Sequence, residues 1–283
     1  MKSEKLSLTH QEFLQEKLKK IDSPISEYTF ANIYLFKTSH DYEVIFDKET
    51  FLQGRTFDGK TYLMPTFDLR KTEKDYLKTM MEGVDFLFPV PEEWLNTFDS
   101  DKWDFSYNEG DTDYLYTVEK MSTYKGRRLH KKRNLLKQFM ELYENKSLPL
   151  TEEKKEDARK ILYQWQEDVG VPPSETDFDP CLEALRLYDK LKLCGGIYYV
   201  DDEPGGFIIG EELTEETFVL HFAKGIRKFK GLYQYMFNTF AKFLPKKYHY
   251  LNLEQDLGQL ALKIAKSSYN PDIMLKKFRV SLK

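Results

Sequence analysis

Apolar residues recur every three or four positions in some stretches of the chain and alternate with polar ones in others, so helices and strands can be placed from the pattern. Thr9-His10-Gln11-Glu12 has the form of a capping box, and Leu14, Leu18 and Ile21 follow at helical spacing, which predicts a helix from about Thr9 to Lys20. The aromatic-rich stretch Ser26 to Lys37 predicts a second, short helix. Strands are expected at Tyr42–Phe46, Phe51–Gln53 and Thr61–Met64, with a turn at Asp58-Gly59. A helix over Glu73–Met81 stops before Gly83, and a strand follows at Val84–Val90. Pro91-Glu92-Glu93 opens another helix. Residues 99–112 read as loop or edge strand and Tyr114–Val118 as a strand. Leu135, Leu136, Phe139 and Leu142 then form a helical stripe.

The second half of the chain is patterned more sharply. Leu148-Pro149-Leu150 reads as a connector, and Thr151 caps a helix with Ala158, Ile161, Leu162 and Trp165 on one face. Asp179-Pro180 starts a helix carrying Cys181, Ala184, Leu185, Tyr188 and Leu191. Three closely spaced strands, Ile197–Val200, Phe207–Leu213 and Thr217–Ala223, imply antiparallel pairing. A basic loop ending at Gly231 leads into a helix over Leu232–Leu244, a strand at Tyr248–Asn252, a helix at Gln259–Ala265 and a last strand at Phe278–Leu282. This order of elements is similar to that of the GNAT acyltransferases, and the first half shows a looser version of it. The expected fold is therefore α+β: tandem GNAT-like (acyl-CoA N-acyltransferase-like) domains with mixed, mostly antiparallel sheets flanked by helices, divided as 1–146 and 147–283.

Length and composition fit that picture. The 283 residues suffice for two domains, and 19 Tyr and 21 Phe point to aromatic cores. A net charge of −4 gives no bulk argument for nucleic-acid binding, so a basic surface has to be local. Cys181 and Cys194 form no CxxC pair, which fits buried thiols in a reducing compartment. The N-terminal stretch has no apolar signal region and no segment reaches the roughly 20 apolar residues of a membrane helix. A cytoplasmic location is expected, with peripheral membrane contact left open.

P-loop, GxGxxG, GxSxG and HExxH motifs are absent, and the histidines at 10, 40, 130, 221 and 249 are scattered, which argues against a metal site. Two basic segments remain. Lys125–Arg133 leads into a helix, where free backbone N–H groups favour phosphate. Lys224 to Gly231 joins a strand to a helix, with Lys224, Lys228, Lys230 and Gly231 as candidate phosphate contacts. In the GNAT pyrophosphate loop the position of Tyr233 is held by a small residue, so Tyr233 would crowd coenzyme A. The alternative for both segments is a solvated charged surface. Asn252, Glu254 and Asp256 follow a strand end, where alternate side chains converge and a carboxylate can orient or deprotonate an attacking group. For Asp256 the competing role is helix capping. Lys266 lies beyond the next helix and could steady a developing oxyanion.

Three stretches, SEYTFANIYLF, DYLYTVEKMSTYKGRRLHKKRNLLKQF and FVLHFAKGIRKFKGLYQYMFNTFAK with its continuation through YHYLNLEQDLG and AKSSYNPDIMLKKF, resemble the DUF2156 family. That family is similar to the C-terminal, tandem GNAT-like domain of phosphatidylglycerol lysyltransferase. The resemblance implies transfer of an aminoacyl group from aminoacyl-tRNA to an amine or hydroxyl, with no cofactor required beyond that donor. It places Lys131, Lys132, Arg133 and Asn134 in the family's basic segment, Asn252, Glu254 and Asp256 in its acidic segment, and Lys266 in its last lysine segment. Leu253 and Gln255 stand where the family often has Arg and Glu, and Ala223 where it often has Glu. Two alternatives follow: a catalytically degenerate module that binds tRNA or another phosphorylated ligand, and an acyl-CoA-dependent N-acetyltransferase.

Overall fold

The computed structural model describes residues 2–283. In chain order its strands and α-helices are β1 (Lys2–Lys5), α1 (Gln11–Lys19), α2 (Phe30–Leu35), α3 (Lys37–His40), β2 (Glu43–Phe46), β3 (Thr50–Arg55), β4 (Thr61–Pro65), α4 (Lys74–Met80), β5 (Phe86–Pro91), β6 (Trp103–Tyr107), β7 (Asp113–Thr117), α5 (Val118–Thr123) and α6 (His130–Leu142). There follow β8 (Asn145–Pro149), α7 (Lys155–Val169), α8 (Phe178–Arg186), β9 (Cys194–Val200), β10 (Glu203–Glu212), β11 (Thr217–Gly225), α9 (Leu232–Phe243), β12 (Tyr250–Asn252), α10 (Leu260–Ser267), β13 (Ile273–Leu275) and β14 (Lys277–Leu282).

Two seven-stranded sheets form, ordered β1-β2-β3-β4-β5-β14-β6 and β13-β7-β12-β11-β10-β9-β8. They repeat one plan: a first strand, helices, three antiparallel strands, a crossover helix, then a strand parallel to the third of them. The parallel pairs are β4 with β5 and β11 with β12. In each sheet the next position is filled from the other half of the chain. β14 lies between β5 and β6, and β7 pairs with β12. The fold is thus the α+β, GNAT-like arrangement of two mixed sheets flanked by helices.

That exchange moves the division of the chain. One compact unit runs to Asp113 and adds 255–262 and 274–283, and the other comprises 114–254 and 263–273. These units depart from the 1–146 and 147–283 halves expected from the sequence, because β7, α5 and α6 pack with the second sheet and β14 with the first. The connector expected at 148–150 is mostly strand, since β8 pairs with β9 from Asn145↔Val200 to Pro149↔Gly196.

The first unit is built on Phe51, Leu52, Leu63, Met64, Leu87 and Val90, with an ionic knot inside it. Lys277 on β14 is fully buried and reaches Asp113 at 2.6 Å and both oxygens of Glu27, at 2.8 and 2.6 Å. It also donates to Gln255 Oε1 at 2.9 Å, while the Ser26 backbone N–H donates to Asp113 at 2.8 Å. Burial works against the Lys277 charge, yet Asp113 and Glu27 outweigh it and hold the ammonium above its ordinary range.

In the second unit α9 lays Leu232 and Met236 against Gly225 of β11 and Met236 against Gly206 of β10, while Tyr235 stacks on Phe139 of α6 and meets Tyr198 of β9. Backbone crowding at β10 makes one glycine indispensable: a Cβ on Gly210 would lie 2.0 Å from the Val219 carbonyl oxygen. Gly210→Ala is expected to destabilise the chain by about 1–3 kcal/mol, read as a lower denaturation midpoint, because the ladder must open to admit the methyl group.

Candidate functional site

The register of the second sheet creates its chemical centre. Ile209 on β10 faces Phe222 on β11, but the next residue, Gly210, faces Leu220, so His221 is the extra residue of a β-bulge. Bulges re-aim side chains and are frequent beside active sites. On its other side β11 runs parallel to β12 with Val219 opposite Asn252, so two residues further on His221 comes beside Glu254. The first sheet has no such shift between β3 and β4.

His221 uses both ring nitrogens. Nδ1 lies 2.8 Å from Glu254 Oε1 and Nε2 lies 3.0 Å from Glu211 Oε1, and the imidazole is wholly inaccessible to solvent. Burial alone would lower its pKa, but the hydrogen bonds and charges of Glu211 and Glu254 prevail and push it up to about 9. His221 is therefore an imidazolium at neutral pH, donating to a carboxylate on either side. Its folded pKa lies above the ordinary value near 6.5, so its stabilising contribution is complete below about pH 6.5 and fades as the pH rises through about 9. The stability gap between wild type and His221→Gln, measured by denaturant unfolding, is expected to shrink over that window. A gap that widens would contradict the charge assignment.

Glu254 itself is in left-handed backbone, φ 58°. That conformation costs a non-glycine residue roughly 1–2 kcal/mol and needs support. Asn252, fully buried, supplies it by accepting the Glu254 backbone N–H at 2.7 Å. The Glu254 backbone is also tied to β7, its carbonyl accepting from the Tyr114 N–H at 3.2 Å. Two residues along the same strand, the Tyr116 hydroxyl donates to the Lys266 carbonyl at 2.7 Å. The backbones of Glu254 and Lys266 are thus both tied to β7, at Tyr114 and Tyr116.

The basic segment packs on the residues that follow Lys266. Lys132 donates to Ser268 Oγ at 2.6 Å and lies 3.8 Å from the Tyr269 ring centre, and Arg128 reaches Asn270 at 2.9 Å. Burial lowers the Lys132 pKa to about 8. Arg133 is turned inward, its guanidinium donating to the carbonyls of Gly126, at 2.8 Å, and Tyr124. Lys131 and Asn134 are exposed on α6.

The loop after β11 is arranged differently from the phosphate cradle expected there. Lys224 is buried, ion-paired with Asp177 and 3.6 Å from the Trp165 ring centre. Lys228 pairs with Glu203 at 2.6 Å, while Lys230 is exposed. The Gly225 N–H donates to the Tyr233 hydroxyl at 3.1 Å. Gly231, φ 90°, packs so closely on α6 that a Cβ there would lie 2.6 Å from the Leu135 carbonyl oxygen. Asp256 belongs to the first unit, where its side chain accepts the Gly258 N–H at 2.8 Å in the turn before α10.

Sequence reasoning singled out Glu254 but missed Glu211, His221 and Lys277. His221 is the one polar residue inside the apolar run Phe218-Val219-Leu220-His221-Phe222-Ala223, and that is the one signal that could have raised it. Among the described residues no group of His, Cys, Asp and Glu is placed to hold a metal ion, and no helix is long and apolar enough to cross a membrane. A cleft of about 520 Å³ elsewhere on the second unit, with Thr117, Lys242, Pro245 and His249 in its wall, touches none of these residues.

The GNAT-like fold, here with a bulged strand beside a hydrogen-bonded carboxylate, defines the structural class. Within it, this chain belongs to the family described as phosphatidylglycerol lysyltransferase, C-terminal, which it matches over residues 18–281. A conserved protein of unknown function from Bacteroides thetaiotaomicron has the same fold, with a TM-score of 0.87, 22% identity and 99% of each chain covered. The C-terminal DUF2156 domain of a putative lysylphosphatidylglycerol synthetase from Agrobacterium fabrum superposes with a TM-score of 0.64 at 12% identity, over 95% of this chain and 92% of that one. An uncharacterized protein of Mycoplasmoides gallisepticum is 26% identical over 212 residues, and the match spans 70% of this chain but only 64% of that relative.

Proposed function

We propose that this chain moves an aminoacyl group from aminoacyl-tRNA to an amine or hydroxyl acceptor, with Glu254 as the base. The observation that carries this reading is a carboxylate on a left-handed backbone residue, hydrogen-bonded to a buried imidazole, in a chain of the lysyltransferase family. The acceptor's lone pair attacks the ester carbonyl while its proton passes to Glu254. The bond to the tRNA ribose oxygen then breaks, and that oxygen leaves with the proton that Glu254 gives up, which restores the carboxylate. Lys266, whose segment is fixed to β7 by Tyr116, is assigned to the oxyanion. The basic segment 125–133, anchored on Ser268 and Asn270, is assigned to the tRNA backbone.

Coenzyme A is the weaker donor reading. The Gly225 amide is already taken by Tyr233, and the Leu135 carbonyl oxygen packs against Gly231, 2.6 Å from where a Cβ would stand. A pyrophosphate there would lose one donor and lie near an acceptor oxygen. Thermal unfolding with lysyl-tRNA, uncharged tRNA and acetyl-CoA separates the readings. Lysyl-tRNA at saturating concentration is expected to raise Tm, and to do so less as salt is added, while acetyl-CoA leaves it unchanged. Stabilisation by acetyl-CoA and none by lysyl-tRNA would overturn the assignment.

A further inference from the structure

We propose that His221, backed by Glu211, is a positioning residue of the transfer site: its ring bridges β10 to the turn after β12 and fixes the Glu254 carboxylate in the orientation that receives the acceptor's proton. This rests on the aminoacyl-transfer reading above and assigns two residues to it that neither composition nor motif marks.

The geometry supports positioning and opposes direct catalysis by the imidazole. Both nitrogens are committed, at 2.8 and 3.0 Å, and no ring atom reaches solvent, so His221 has neither a free lone pair nor access to a reacting group. Glu254 retains some exposure, its side chain being 13% accessible, and it alone of the three sits at a loop. The ring's location is set by the bulge, which is backbone structure and independent of any ligand. The ionisable groups facing the ring are Glu211 from β10 and Glu254 from the turn after β12. Phe222 is its aromatic neighbour on β11, and Cys194 on β9 feels the Glu211 charge. The ring's two hydrogen bonds tie the Glu254 carboxylate to Glu211 on β10. Losing that tie shifts the carboxylate, and misplacement of a reacting group by 1 Å can cost about 100-fold in rate.

The test uses the full chain, labelled lysyl-tRNA as donor and either hydroxylamine or phosphatidylglycerol vesicles as acceptor, with the uncatalysed background subtracted. His221→Gln is expected to lower kcat about 10- to 100-fold while KM for lysyl-tRNA changes less than about twofold. Glu211→Gln keeps the ring but removes one of the charges holding its proton, so the alkaline limb of the kcat profile is expected to move to lower pH. In wild type, nitrogen-15 NMR is expected to show both ring nitrogens protonated at pH 7.5, a reading that needs no variant to fold. An unprotonated ring nitrogen at that pH, an unchanged kcat in His221→Gln, or an unmoved alkaline limb in Glu211→Gln overturns the positioning role alone. Absence of transfer by the wild-type chain overturns the transferase reading, and the positioning role with it.

Discussion

Lys277→Ala is expected to destabilise the first unit by about 3–5 kcal/mol, because it leaves Glu27 and Asp113 buried around a missing cation. Both carboxylates lie at the centre of that unit, and water cannot replace the ammonium without opening the packing beside β14. Lys277 stands opposite Pro91 in the ladder with β5, so the strand that carries the lost charge is also the strand that completes the sheet. Thermal unfolding should show the loss as a drop on the order of 10 °C. Neutralising the partners as well, in Lys277→Met with Glu27→Gln and Asp113→Asn, is expected to recover much of that loss, since a buried ionic cluster replaced as a whole costs little. Equal losses in the single and triple variants would show that packing volume, and not unpaired charge, sets the effect.

Under the proposed aminoacyl transfer, Glu254→Gln is expected to lower kcat by about 10²- to 10⁴-fold, the range that a general base contributes. The amide keeps the shape of the side chain and can still accept from His221 Nδ1, so folding should be preserved and the loss should fall on the chemical step. KM for lysyl-tRNA is expected to stay near its wild-type value, because the tRNA contacts are assigned to 125–133. Steady-state kinetics that instead show an unchanged kcat and a raised KM would make Glu254 a binding group.

Much of the second unit was legible in the sequence because its signals are local. The meander of β9, β10 and β11, the loop to Gly231 and the apolar stripe of α9 were each placed within a few residues. The polar edge strands were not. β1 is Lys-Ser-Glu-Lys and β8 includes Asn145, Lys146 and Ser147, with no alternation to read, and both exist because a neighbouring strand offers them a ladder. The exchange of β7 and β14 left no trace either, since pairing partners far apart in sequence have no period. At the site, Glu254 could be found from its place after a strand. His221 looked like one of five scattered histidines, and only the bulge brings it to Glu254. Lys277 follows Lys276 and reads as surface charge, whereas it opens β14 opposite Pro91 and is fully buried.

The central claim is that an aminoacyl ester, and no thioester, is the donor. Single-turnover incubation of the chain with labelled lysyl-tRNA, and separately with labelled acetyl-CoA, in the presence of phosphatidylglycerol vesicles or hydroxylamine decides it. The account predicts that lysine leaves the tRNA for the acceptor faster than in the protein-free control and that the acetyl label stays on coenzyme A. Acetyl transfer with the lysine label left on its tRNA would contradict it.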